Sequence, residues 1–120
     1  MAALSAKPVS IVFVFFNEPL SPLLRSITSV LDRTPASLLK EIILVDDGST
    51  AEWTQGPLED QLQLYPKIVL RRMPARQGLM ATRTEGARIA SAEIVVFLDS
   101  HIEVRSRSLK YPHEHLHARR

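Results

Sequence analysis

The sequence predicts an α/β fold, a parallel sheet flanked by helices and followed by a basic tail. Three observations carry this expectation. Apolar runs rich in β-branched and aromatic residues occur at Val9 to Phe16, Ile42 to Val45 and Ile94 to Leu98. They are too continuous for half-exposed strands and fit strands covered on both faces, as in parallel sheets. Helical patterns separate these runs, so strands and helices alternate. Polar clusters then follow the strands: Asn17-Glu18, Asp46-Asp47, Arg71 to Gly78, and Asp99-Ser100-His101. Ligands of such sheets bind beyond the carboxyl ends of the strands, so these clusters share one rim.

The elements follow in chain order. After the first strand, Ser21 is read as an N-cap with Pro22 in the first helical position, and Leu24, Ile27 and Leu31 recur at helical spacing. Thr34-Pro35 ends that helix, because the residue before proline is driven out of the helical region. The second strand, Ile42 to Val45, runs into a loop at Asp46-Asp47-Gly48-Ser49. A helix from Pro57 to Leu64 precedes a strand at Ile68 to Leu70. From Gly78, the apolar positions Leu79, Met80, Ala87, Ile89 and Ala90 outline a helix ending near Ser91-Ala92, and the fourth strand, Ile94 to Leu98, has Asp99-Ser100-His101 at its end.

A chain of 120 residues with 45% apolar content encloses one modest core. The domain is read as residues 1–104 and the tail as residues 105–120, which replace the strand pattern with a basic, His-rich composition expected to be poorly ordered. Of the net charge of +2, the tail holds +4, which leaves −2 for the rest. Basic character therefore belongs to the tail, where Tyr111 is the only aromatic residue, and no nucleic-acid partner is expected. The chain has no cysteine, so disulfides and thiolate metal sites are excluded. Val9 to Phe16 is too short to span a bilayer, and no transmembrane segment is expected. Walker A, G-x-G-x-x-G and G-x-S-x-G patterns are missing, which argues against P-loop, dinucleotide-binding and serine-hydrolase chemistry.

Asp99-Ser100-His101 offers a carboxylate and an imidazole at alternate positions, a donor set suited to a borderline divalent ion such as Mn²⁺. A turn capped by Asp99 explains the same residues. Asp46-Asp47 can accept hydrogen bonds from a base or ribose, or start a polar turn before Gly48. Arg71, Arg72 and Arg76 can meet phosphates, Arg76 best placed beside a helix start, or form a solvated basic loop. His113, His115 and His117 read either as a second metal cluster or as part of a flexible tail.

Taken together, five words of this sequence resemble the N-terminal half of the catalytic domain of the polypeptide N-acetylgalactosaminyltransferases. They are Val14-Phe15-Phe16-Asn17-Glu18; Leu23-Leu24-Arg25-Ser26 with Ser29-Val30-Leu31; Leu38-Leu39-Lys40-Glu41-Ile42-Ile43-Leu44-Val45-Asp46-Asp47; Arg76-Gln77-Gly78-Leu79-Met80; and Phe97-Leu98-Asp99-Ser100-His101. The resemblance implies a partial GT-A (Rossmann-like) fold, UDP-N-acetylgalactosamine as donor, Mn²⁺ as cofactor, and retaining transfer to Ser or Thr of a protein acceptor. It implies Asp99 and His101 as metal ligands, and Val14, Asp47, Arg76 and Ser100 as donor-binding residues, with Asn17 and Glu18 shaping the pocket floor. It also implies a Golgi lumenal address, against a cytoplasmic one if these 120 residues are the whole product.

Two departures stand out. Ile102 and Val104 stand where family members usually carry cysteines, and residues 105–120 stand where a Trp-containing helix usually follows. The distal His that completes the family's metal site and the acceptor-binding half have no counterpart here. Little or no transferase activity is therefore expected, and a non-catalytic interaction protein derived from this family is the alternative.

Overall fold

The computed structural model describes residues 7–99. The chain runs through β1 (Val9–Phe15), α1 (Leu20–Arg33), β2 (Leu39–Asp46), α2 (Gly56–Leu62), β3 (Ile68–Arg72), α3 (Leu79–Ile89) and β4 (Ile94–Asp99). Single 3₁₀ turns occur at Ala36–Leu38 and Glu52–Thr54. The four strands form one parallel sheet in the order β3-β2-β1-β4, the α/β class that the alternating pattern predicts. Ser100, His101 and the tail, including His113, His115 and His117, lie outside the described residues.

Both faces of the sheet are covered, which explains the unbroken apolar runs. Successive strand residues point to opposite faces. Ile11, Phe13 and Phe15 of β1 and Ile42 and Leu44 of β2 meet Leu23, Ile27 and Val30 of α1 and Leu58 and Leu62 of α2. Val12, Ile43 and Val45 form the second cluster, on the face that α3 covers. Each of these fully buried side chains contributes roughly 1.5–3 kcal/mol relative to exposure.

The strand order carries a functional consequence. The chain steps outward from β1 to β2 to β3, then returns to the other side of β1 with β4. Such a reversal opens a crevice at the carboxyl ends of the two strands that flank it, here β1 and β4. In the ladder at that end, Val14 has Asp99 as its neighbour on one side and Val45 on the other.

The structure corrects several boundaries. Helix α1 starts at Leu20 with Pro19 at the cap, and no side chain caps it. Ser21 lies inside the helix, its hydroxyl accepting a hydrogen bond from Arg25 Nη2 at 3.2 Å. Pro19 keeps an extended ψ of 146° while its ring holds φ at −59°, so the chain enters the helix earlier than a serine cap would allow. Pro22 is then tolerated because it still falls among the first four residues, whose N–H groups have no partner within the helix. Strand β2 is longer than Ile42 to Val45, and β3 reaches Arg72, so Arg71 and Arg72 are strand residues paired with Val45 and Asp46 rather than a loop. Helix α2 is shorter than Pro57 to Leu64 and closes at Leu62.

The inner face of helix α3 follows its apolar residues only in part: Ile89 and, just past the helix, Ala90 pack on the Val12, Ile43 and Val45 cluster, but the first turn does not. Leu79 and Met80 are 54% and 80% exposed, whereas Thr82 and Gly86 are buried. A Cβ at position 86 would lie 2.6 Å from Val12 Cγ1 and 3.2 Å from Val45 Cγ2. The helix backbone thus rests directly on the sheet, and small residues rather than large apolar ones are required at the contact.

Candidate functional site

Three loops beyond the carboxyl ends of β1, β2 and β3 are joined to one another by side chains. Asn17 follows β1 with a φ of 50°, a left-handed conformation that asparagine tolerates better than most residues. Its Oδ1 accepts hydrogen bonds from the backbone N–H groups of Thr50 and Ala51, both at 2.8 Å, and its own N–H donates to Ser49 Oγ at 2.7 Å. Trp53 Nε1 donates to the Glu18 carbonyl at 3.0 Å. Asn17 and Glu18, expected to shape a pocket floor, thus tie the first loop to the second.

The paired carboxylates at the end of β2 are both turned inward. Asp46 accepts from the Ser49 N–H at 2.7 Å and pairs with Arg72, whose other nitrogen reaches the Thr54 carbonyl at 2.8 Å and Glu59 at 2.9 Å. Asp47, 3% exposed, accepts from the Gln77 N–H at 2.7 Å and the Gly78 N–H at 3.1 Å. These two donors belong to the segment that enters α3, so one buried carboxylate holds the third loop against the second. Gly48 makes this approach possible. It has a φ of 80°, and a Cβ there would lie 2.5 Å from the Arg76 nitrogen.

Arg76 is carried by that loop. Its guanidinium lies over the Phe16 ring, 3.9 Å from the centroid, and its Nε is 3.7 Å from Asp47 Oδ2. The side chain remains 62% exposed. Arg71 and Arg72, the other members of the basic group, are held elsewhere, Arg71 by Glu85 at 2.8 Å and Arg72 by Asp46 and Glu59. Of the three arginines, Arg76 is therefore the cation presented at the rim.

The structure brings Asp47 and Arg76 into contact and sets Val14 beside Asp99 in the ladder. Val14 is half-buried and packs on the Val12, Ile43 and Val45 cluster. Among the described residues, no group of three or more His, Cys, Asp or Glu is arranged to hold a metal ion. Of the expected metal ligands, Asp99 ends β4, and His101 lies outside the described residues, as does Ser100. Phe16 and Trp53 join the site without having been singled out from sequence. Phe16 reads as the last residue of an apolar strand, and only its place immediately before Asn17-Glu18 hints at a position on the rim.

Two carboxylates away from this rim titrate below their ordinary value. At the amino ends of the strands, burial opposes ionisation of Glu41. Hydrogen bonds from the Ser10 hydroxyl and from the Ser91 N–H and hydroxyl outweigh it and hold the carboxyl below its ordinary value. On α3, hydrogen bonds from Arg88, followed by the charges of Arg88 and Arg71, bring the Glu85 carboxyl down to about 2. Two surface grooves, one between α1 and α2 and one along β3, also lie apart from the rim.

The family model for glycosyl transferase family 2 matches residues 10–117. N-acetylgalactosaminyltransferase 4 of Drosophila melanogaster is 51% identical over 98 residues, 80% of this chain and 15% of that protein. Human polypeptide N-acetylgalactosaminyltransferase 10 is 47% identical over 94 residues, 78% of this chain and 16% of that protein. The crystal structure of GalNAc-T7 with UDP, GalNAc and Mn²⁺ superposes with a TM-score of 0.79 at 37% identity, over 82% of this chain and 18% of that one. The chain therefore spans only a small part of the length of the proteins it matches.

Proposed function

The chain belongs to glycosyl transferase family 2 and has the GT-A fold, and from that premise we propose that it is the UDP-sugar-binding part of a retaining polypeptide N-acetylgalactosaminyltransferase. The observation that supports this reading best is the union of Asp47 and Arg76 at the rim. A buried carboxylate fixes the loop before α3, and that loop carries an exposed guanidinium beside the amino end of a helix. Helix amino ends and arginine both favour the negative charge of a diphosphate.

The residues divide the work as follows. Arg76 binds diphosphate oxygens. Asp47 is nearly buried and already accepts from the Gln77 and Gly78 N–H groups, so it serves the donor through the loop it holds, and the uracil or ribose contact implied for it would need that loop to shift. Val14, beside Asp99 at the strand reversal, lines the same crevice. Asp99 and His101 would hold Mn²⁺, with Ser100 against the donor sugar or diphosphate. This assignment rests on the Asp99-Ser100-His101 sequence, of which the backbone of Asp99 ends β4. The metal, when bound, offsets charge on the departing nucleoside diphosphate.

Transfer further requires a protein Ser or Thr held in line with the donor, a large part of catalysis. Residues 1–120 alone are read as donor-binding and at most weakly active. The Golgi lumen is the compartment this function suggests; among the described residues no helix is long and apolar enough to cross a membrane.

The test is calorimetric titration of UDP into the chain with Mn²⁺, repeated with EDTA. Saturable binding that needs the metal and disappears in Asp99→Ala is expected. Binding unchanged by EDTA or by that substitution, in chains that remain folded, would sink the assignment.

A further inference from the structure

We infer that Phe16 is a positioning residue for the rim cation: its ring presents the Arg76 guanidinium to the diphosphate of a bound nucleotide. This rests on the reading of Arg76 as a donor-binding residue and adds to it a side chain to which the sequence assigned no role in the site.

The geometry carries the inference. Arg76 follows β3 and Phe16 follows β1, so only the fold brings them together. A separation of 3.9 Å from guanidinium carbon to ring centroid is that of a planar cation lying against a π-face. An arginine on an exposed loop otherwise samples many rotamers, and ordering it on binding opposes affinity. Here the side chain is 62% exposed, yet it is gripped from two directions, by the ring and by Asp47 through Nε at 3.7 Å.

Stacking uses the flat face of the guanidinium and leaves its edge, where the N–H groups are, available for charge-assisted bonds to phosphate oxygens. Phe16 itself is half-buried and flanked by Asn17, whose three hydrogen bonds to Ser49, Thr50 and Ala51 immobilise the backbone beneath the ring. The ring is therefore a fixed surface rather than a mobile neighbour. Lysine would not replace Arg76 here, since a compact ammonium offers neither the flat face nor the forked edge.

A double-mutant cycle on UDP affinity in the presence of Mn²⁺ tests this, using the full 120-residue chain with Phe16→Leu, Phe16→Tyr, Arg76→Ala and the Phe16→Leu/Arg76→Ala pair. Leucine keeps apolar bulk and removes the π-face; tyrosine keeps both. Phe16→Leu should weaken UDP about three- to tenfold, the worth of a modest cation–π contact. Phe16→Tyr should leave affinity unchanged, and Phe16→Leu should cost nothing further in the Arg76→Ala background. In the nucleotide-free chain, the upfield ring-current shift of the Arg76 Nε–H proton should be present, kept by tyrosine and lost with leucine.

Additive losses in the cycle would mean that Phe16 acts independently of Arg76 and would overturn the inference. So would an Arg76 resonance insensitive to Phe16→Leu, or affinity unchanged by Phe16→Leu while Arg76→Ala weakens it. If Phe16→Leu fails to fold, loss of affinity in a folded Phe16→Tyr chain serves as the overturning result, and retained affinity together with the shifted Arg76 proton supports it. Unchanged affinity in Arg76→Ala is a separate failure, that of the donor-site reading itself.

Discussion

Asp47 accepts two backbone N–H groups from thirty residues further along the chain while itself 3% exposed. Replacement by asparagine keeps the size but turns one acceptor oxygen into a donor that faces other donors. Leaving a buried donor unsatisfied costs about 1–3 kcal/mol, so Asp47→Asn should lower the urea midpoint by a corresponding amount. It should also loosen Arg76 and weaken UDP binding. Gly48 is constrained more severely, because its φ of 80° disfavours any side chain and a Cβ would overlap the backbone at Arg76. Gly48→Ala should destabilise by more than the roughly 1–2 kcal/mol of the left-handed conformation alone, since backbone cannot rotate away as a side chain can. A midpoint equal to that of the parent chain would contradict both the conformation and the contact.

Among the elements, α3 illustrates how a contact can be close without being large. The helix lies on β1 and β2 through Thr82 and Gly86, with Thr82 donating to the Gly78 carbonyl at 2.6 Å. Gly86→Ala would place a methyl group 2.6 Å from Val12 Cγ1, and overpacking of this kind typically costs about 1–3 kcal/mol. Adding Val12→Ala removes the nearest obstructing methyl and should restore part of the loss. The double variant should therefore be more stable than the sum of the two single effects implies, as read from paired urea unfolding curves. Because α3 follows the Asp47-held loop, the same single variant should also disturb Arg76 and lower UDP affinity.

At the scale of the whole molecule, acid sensitivity follows from carboxylates bridging distant parts of the fold. Glu85 joins α3 to Arg71 of β3, and Glu41 joins β2 to Ser10 of β1 and to Ser91 between α3 and β4. Both carboxyls titrate below their ordinary value of 4.5 in the folded chain, Glu85 at about 2. Above 4.5 the groups are ionised in folded and unfolded chains alike, and the stabilisation from their partners, for Glu85 first Arg88 of the same helix and then Arg71, is fully present. As pH falls below 4.5 the unfolded chain takes up protons first, so stability declines and the contribution of Glu85 is lost by about 2. Urea midpoints should fall over that interval, and Glu85→Gln should flatten the fall. A parent chain and a Glu85→Gln chain with parallel pH profiles would refute the coupling.

What the sequence by itself determined is the order and class of the elements and that the segments around Asn17, Asp47 and Arg76 follow strand ends on one rim. Burial leaves a local trace: Val12, Phe13 and Ile42 to Val45 had to be apolar in unbroken runs because both faces of the sheet are covered. The words around Asn17, Asp47, Arg76 and Asp99 likewise carry the family in their spacing. Only the tertiary structure decided the strand order that sets β4 beside β1 and so Asp99 beside Val14. It also decided that Asp47 binds the loop before α3, that Arg71 and Arg72 are strand residues held by acidic partners, and that Arg76 rests on Phe16. A carboxylate before a glycine, or a phenylalanine ending a strand, reads the same whatever it touches. Its partner is chosen by the total free energy of packing distant segments together, and that choice leaves no periodicity in the chain.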